Sequence, residues 1–233
     1  MALTNYLTQV TRLLQNPPAS PNLYTVSDLT YDINVARNQL AVETMCVRSN
    51  VGLTLSGSQQ QYPLSSIMPS GSGLSAIVNV QTAYYVSGGG YVYLNPRQWT
   101  YFNVFMLCVP SVPTGAPTDW TQYSTGANGV LYFNPVPNTT FNVLLDAVCT
   151  PIPLVNDATV EAIPYPYTDA VPFFAAYYAY MSAQRGADAD AMFARYKEFV
   201  FRAQMASEPR TPNSPYPSLR NQTPAPPGQA GAQ

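Results

Sequence analysis

The sequence has no histidine and a single lysine, Lys197. Without imidazole there is no histidine-based triad and no histidine metal site. Its three cysteines, Cys46, Cys108 and Cys149, stand far apart in apolar surroundings. That spacing rules out a close zinc-binding pair and reads as small buried thiols in a reducing compartment, not as a disulfide framework. Charge is also scarce, at 9% of residues against roughly 25% in an ordinary soluble domain. The nine arginines, Arg12, Arg37, Arg48, Arg97, Arg185, Arg195, Arg202, Arg210 and Arg220, form no run, and the net charge is −2. Nothing here neutralises phosphates as a nucleic-acid binder does. No basic segment followed by an apolar stretch opens the chain, so no signal peptide is expected. The longest apolar run, Ala170 to Met181, is interrupted by Pro172 and is too short to span a bilayer.

What the sequence does have is 46% hydrophobic residues and 18 tyrosines among Asn, Gln, Ser and Thr. A protein that stays dispersed as a monomer relies on surface charge. Low charge with abundant tyrosine suits surfaces that become interfaces, since tyrosine offers a large contact area with a polar tip. Tyrosine is also a strand residue, and a plain β-rich domain accounts for part of the same count.

Three textures follow one another. Over residues 1–50, Leu3, Tyr6, Leu7, Val10, Leu13 and Leu14 recur at helical spacing, and Pro17, Pro18 and Pro21 close that helix. Ser27 is the expected cap of a second helix carrying Leu29, Ile33, Ala36, Leu40, Thr44 and Val47, ending near Arg48–Asn50. Over residues 51–164, short β-type runs (51–55, 62–67, 74–86, 91–94, 130–133 and 140–150) alternate with glycine, proline and serine breakers. Asn128-Gly129 reads as a hairpin turn between Tyr123 and Val130, and the stretch from Trp99 to Met106 fits either a strand or a helical turn. Helical spacing returns over 165–207, first with Phe173, Phe174, Tyr177, Tyr178 and Met181. After Gly186, Asp188 and Asp190 open a last helix with Met192, Phe193, Tyr196, Phe199, Val200 and Ala203 on its apolar face. Residues 208–233 are rich in proline and polar residues and are expected to form an extended tail. The expected fold class is α+β: an antiparallel helical base from the two terminal regions, an inserted antiparallel β-sandwich or barrel-like region, and the tail.

Catalytic alternatives are thin. Paired carboxylates hydrolyse glycosides, and the β region offers Asp119, Asp146, Asp157 and Glu161. Asp146 alternates with Leu144 and Val148. It is therefore either buried and paired or on a solvated strand face. Tyr84, Tyr85, Tyr91, Tyr93, Trp99, Tyr101 and Trp120 would serve a sugar-binding sandwich or simply pack across strands and subunits. Gly88-Gly89-Gly90 fits a hairpin loop better than a phosphate cradle, because no helix follows it. The balance of the residues is a structural assembly protein, not an enzyme, with no cofactor or metal.

The stretch Tyr24-Thr25-Val26-Ser27-Asp28-Leu29-Thr30-Tyr31-Asp32-Ile33-Asn34-Val35-Ala36-Arg37, running on to Cys46-Val47-Arg48, resembles the opening of tailed-bacteriophage head-to-tail adaptors. Leu131 to Pro137 resembles their proline hairpin, and Val160-Glu161-Ala162-Ile163-Pro164 leading into Phe173–Met181 is similar as well. The resemblance implies a virion protein made in the host cytoplasm that closes a ring, typically of twelve copies, below the portal. That ring extends the DNA channel without binding DNA specifically and seats the next tail protein, be it nozzle, tail tube or stopper. It also implies that the C-terminal segment reaches the portal, making Pro209, Arg210, Tyr216, Arg220 and Gln233 candidate portal-interface residues. The competing readings are another virion component, such as a decoration, minor capsid or tail protein, and a carbohydrate-binding β-sandwich.

Overall fold

Helix α1 (Leu3–Leu13) forms where leucine, tyrosine and valine recur every three to four residues, and it buries Leu3, Tyr6 and Val10. Helix α2 (Val26–Thr44) buries Leu29, Ile33, Ala36, Leu40 and Ala41. The computed structural model describes residues 1–15, 23–87, 89–104 and 112–207. Pro17, Pro18 and Pro21, Gly88, Met106, Cys108 and the whole segment 208–233 lie outside the described residues.

Two details of α2 differ from the sequence expectation. The cap is Thr25, not Ser27: the Thr25 hydroxyl accepts from the Asp28 amide, and the Asp28 carboxylate accepts from the Thr25 amide. This reciprocal box satisfies two amides that the first turn would leave open. The helix ends at Thr44, with Met45 left-handed at φ 53°, so Arg48 already belongs to a strand.

Among the described residues ten strands follow, most of them antiparallel. One sheet has the order β1 (Arg48–Leu55), β10 (Phe141–Pro151), β3 (Leu74–Ser87), β4 (Gly90–Tyr93). A second has the order β2 (Gln61–Pro63), β8 (Val130–Asn134), β7 (Asp119–Tyr123), β5 (Asn95–Pro96), with β5 parallel to β7. A short parallel pair joins β6 (Thr114–Gly115) to β9 (Val136–Pro137). The two larger sheets share a core of Val51, Leu55, Val80, Ala83, Val143 and Leu145 from one and Tyr62, Trp120, Leu131 and Phe133 from the other. The Gln122 side chain stitches them together, accepting from Val80 N at 2.9 Å and donating to Val78 O at 3.3 Å. They pack as layers and do not close into a barrel.

The turn after β7 is also longer than the Asn128-Gly129 reading. A 3-10 turn over Gly126–Asn128 bridges β7 and β8, with Gly126 at φ 62°. Gly129 is needed for another reason: a β-carbon there would sit 2.5 Å from the Leu64 methyl. Trp99–Phe102 resolves as one helical turn, α3.

The last two helices form a hairpin. Helix α4 (Val171–Ser182) starts with proline in its first turn and is buried on most sides, as a central helix must be. Helix α5 (Gly186–Ser207) buries Ala189, Tyr196, Val200 and Ala203 against it. Helix α4 packs against α1, α2 and α5, so both ends of the described chain meet on one element. Tyr180 fixes the junction by donating to Leu13 O at 3.1 Å. The helical base and both sheets belong to one continuous apolar core.

Candidate functional site

Three of the residues that carried the adaptor resemblance, Asn34, Arg37 and Glu161, converge on one buried polar cluster. Asn34 and Arg37 lie three apart on α2 and face the connection 152–163. Asn34 grips Leu154 at two points: its Nδ2 donates to the carbonyl at 3.1 Å, and its Oδ1 accepts from the amide at 2.7 Å. Arg37 donates from Nη1 to Ile152 O at 2.8 Å and to Asn34 Oδ1 at 3.0 Å. Its Nε and Nη2 fork onto Glu161, the closest contact being 2.8 Å, with side-chain exposures of 1% and 5%. Glu161 Oε1 also accepts from Ile163 N at 2.9 Å. A buried ion pair is tolerated only when its remaining donors and acceptors are this well occupied. Tyr6 of α1 packs beside it. Burial, and then the Glu161 carboxylate, raise its phenol well above the ordinary value and keep it neutral. This cluster is a lock between α2 and the return from β10.

The four acids proposed for glycosidase chemistry go to four different partners. Glu161 pairs with Arg37, Asp119 with Arg97 at 2.7 Å, Asp157 with Thr4 at 2.6 Å, and Asp146 with Arg48. Asp146 is thus on the outer face of its sheet, half-covered, and held by an arginine from the neighbouring strand. The aromatic residues disperse similarly. Tyr84, Tyr91 and Tyr93 cluster on the outer face of the first sheet, with ring centroids 5.2 to 5.5 Å apart. Trp99 packs on Tyr123 and Tyr132 at 4.6 and 4.8 Å, Tyr101 lies under Arg97, Tyr85 meets Phe141, and Trp120 is buried. They form no single platform. Among the described residues no group of three or more His, Cys, Asp or Glu could hold a metal ion. No described helix is long and apolar enough to cross a membrane.

Among the described residues, two exposed regions combine rings with polar or charged groups. One is the β3–β4 hairpin, where Val86, Tyr91 and Tyr93 are 58%, 68% and 65% exposed on a sheet edge. Beside it an open groove of about 490 Å³ runs past Tyr84, Tyr93, Thr82, Asn50, Arg48 and Asp146. The other is a pocket of about 600 Å³ between the start of α2 and the end of α4. Tyr24, Tyr31 and Tyr178 supply its rings, and Asp28 and Asp32 its carboxylates. Asp32 is 7% exposed and has no hydrogen bond or ion pair among the described residues. Local sequence does not single Asp32 out, because the wall that α4 builds around it comes from residues far along the chain.

Burial, and then the nearby Asp28, push the Asp32 carboxyl up to about 6 from an ordinary value of 3.8. The folded chain therefore holds this proton more tightly than the unfolded one. The associated stability is complete below about pH 4 and is lost as pH rises through about 6. Asp32→Asn is expected to recover up to about 2 kcal/mol in the isolated chain near pH 7.5 and to change little near pH 4. Urea unfolding at the two pH values checks this, and an equal effect at both would clear the Asp32 charge of responsibility.

The candidate portal-interface residues Pro209, Arg210, Tyr216, Arg220 and Gln233 lie outside the described residues. Ser207, the last described residue, bonds through its hydroxyl to Tyr167 at 2.8 Å, so α5 ends beside the turn that precedes α4.

The chain thus locks its buried polar groups into paired contacts and exposes surfaces low in charge and rich in tyrosine. Residues 1–216 match the family described as SU10 adaptor protein, and the chain belongs to that family. No curated protein matches it. It is therefore a structural adaptor protein of the bacteriophage virion, associated with other head and tail proteins.

Proposed function

We propose that this adaptor closes a ring of twelve copies below the portal, extends the DNA channel, and seats the next tail protein. The observation that carries the reading is the adaptor-family match over residues 1–216. In this reading the base made by both ends of the described chain meets the portal, and the β layers, with their exposed tyrosine hairpin, face the next tail component. A net charge of −2 suits a wall along which DNA slides without adhering. The segment after Ser207 is the portal clasp, with Pro209, Arg210, Tyr216, Arg220 and Gln233 at the contact. A proline-rich strand loses little backbone freedom when it docks.

Cryo-electron microscopy of the chain assembled on its portal protein tests this. The expected result is a closed twelvefold ring at the portal. A decoration lattice on the capsid, or a monodisperse monomer that ignores the portal and binds glycans, would overturn it. Truncation after Ser207 is expected to weaken portal docking at least about a hundredfold, the loss of roughly 3 kcal/mol of contacts. Undiminished docking in a co-sedimentation assay would remove the clasp.

A further inference from the structure

Among the described residues most cations already have an acidic partner. Arg37, Arg48, Arg97, Arg185, Arg195 and Arg202 are all paired, the last two with Glu198. Only Arg12 and Lys197 have none. Arg12 borders a cleft of half-buried Leu13 and Phe173 on α1 and α4. Lys197 is different. It is exposed over the Phe193 ring and starts an outward stripe at four-residue spacing on α5, continued by Phe201 and Met205, 62% and 53% exposed. A cation followed by two bare apolar side chains is an unusual surface for a helix whose other face is fully packed.

The acidic pocket is its complement. It presents a nearly buried carboxylate with no hydrogen bond or ion pair among the described residues, between tyrosine rings; its lining residues Leu23 and Tyr31 are 67% and 61% exposed, and Val26, in the first turn of α2, is 67% exposed. Stripe and pocket do not meet within one chain. The pocket lies where α4 ends, and α5 turns back from there. At 1.5 Å per residue, Lys197 to Met205 lie about 16 to 28 Å along α5 from that end. Two different, complementary patches on separate parts of one subunit are what a closed ring joins, copy after copy.

We infer that the Lys197–Phe201–Met205 stripe docks into the pocket of the neighbouring copy, with Lys197 on Asp32 and the two apolar side chains against Leu23, Val26 and Tyr31. The inference rests on the ring reading above and names the surface that closes the ring. The neighbour's ammonium supplies the partner that Asp32 lacks, and the exposed apolar groups on both sides leave water together.

Lys197, the sole lysine, makes the test direct. A carbodiimide joins a lysine amine to a carboxylate as an amide with loss of water. Full-length chains, half of them labelled with nitrogen-15, are assembled on the portal protein, treated, digested and read by mass spectrometry. The expected product links Lys197 of one isotope to Asp32 or Asp28 of the other, and Lys197→Gln abolishes it. A ring in which Lys197 couples only within its own chain, or to a different acid of its neighbour, overturns this interface and leaves the ring reading standing. Failure to form any ring on the portal overturns both. Lys197→Glu, at an exposed helical position, is expected to cut ring yield about tenfold with an unchanged unfolding midpoint. An unchanged yield also overturns the interface.

Discussion

Replacing Glu161 with glutamine is expected to destabilise the protein by about 3–5 kcal/mol, a large part of the 5–15 kcal/mol that holds a typical domain together. The substitution keeps the volume and removes only the charge, but it leaves the Arg37 guanidinium at 1% exposure with no counter-charge. Arg37→Met should cost at least as much, because Arg37 also holds Ile152 O and Asn34. The double variant Arg37→Met with Glu161→Gln should be less destabilised than the sum of the two, since no charge is stranded in it. Urea denaturation of the three variants measures this. Additive losses would mean that the pair acts as two independent polar groups and not as one lock.

Gly73→Ala is expected to cost about 2–4 kcal/mol from two sources that add. Gly73 has φ +84°, where a side chain is strained whatever the space, and a β-carbon there would lie 2.8 Å from Val160 O, a backbone atom with no freedom to swing aside. Its own carbonyl accepts from Ile152 N at 2.8 Å. Gly89→Ala separates the two sources: φ is +81° but the space around it is open, so only the strain of about 1 kcal/mol applies. Gly52→Ala, with ordinary φ and open surroundings on strand β1, should be neutral or slightly stabilising. Thermal unfolding that fails to rank the three in this order would remove the Val160 contact as the cause. Gly73 and the Arg37–Glu161 pair hold the same segment, 152–163, so these two sites are expected to couple if combined.

The helical base was legible because its apolar residues follow the helical period: Tyr6 and Val10 in α1, Ile33 and Leu40 in α2, Tyr196 and Val200 in α5 all face the core as their spacing predicts. The β region was legible as strands between breakers. Strand β7 was not, because Asp119-Trp120-Thr121-Gln122-Tyr123 is polar in composition, yet Asp119, Trp120 and Thr121 are all buried. Their burial depends on Arg97, Asn134 and the facing sheet, partners distant in sequence. The cap moved from Ser27 to Thr25 because the acid three residues after Thr25, Asp28, completes a capping box, and no such acid follows Ser27. Asn34 entered the sequence reading only through family resemblance, Arg37 otherwise only as one of nine scattered arginines, and Glu161 otherwise only as a possible glycosidase acid. The structure gives that motif its physical meaning, a clamp on Leu154 and a buried ion pair. Asp32 was invisible as a special residue, since nothing local separates it from any acid on a helix surface.

The stretch from Ser49 to Pro96 contains no charged residue at all, and it includes the whole β3–β4 hairpin. Sheet edges are ordinarily guarded by lysine, proline or an inward-pointing charge that repels a second strand. Strand β4 has none of these between Gly90 and Tyr93, so its outer backbone groups and tyrosines form an open template for any extended segment that finds it. Until another chain covers it, the subunit has no charge on this edge to keep a second strand away. An excess of free subunits is expected to associate through this edge as its concentration rises, which sedimentation at increasing concentration would show.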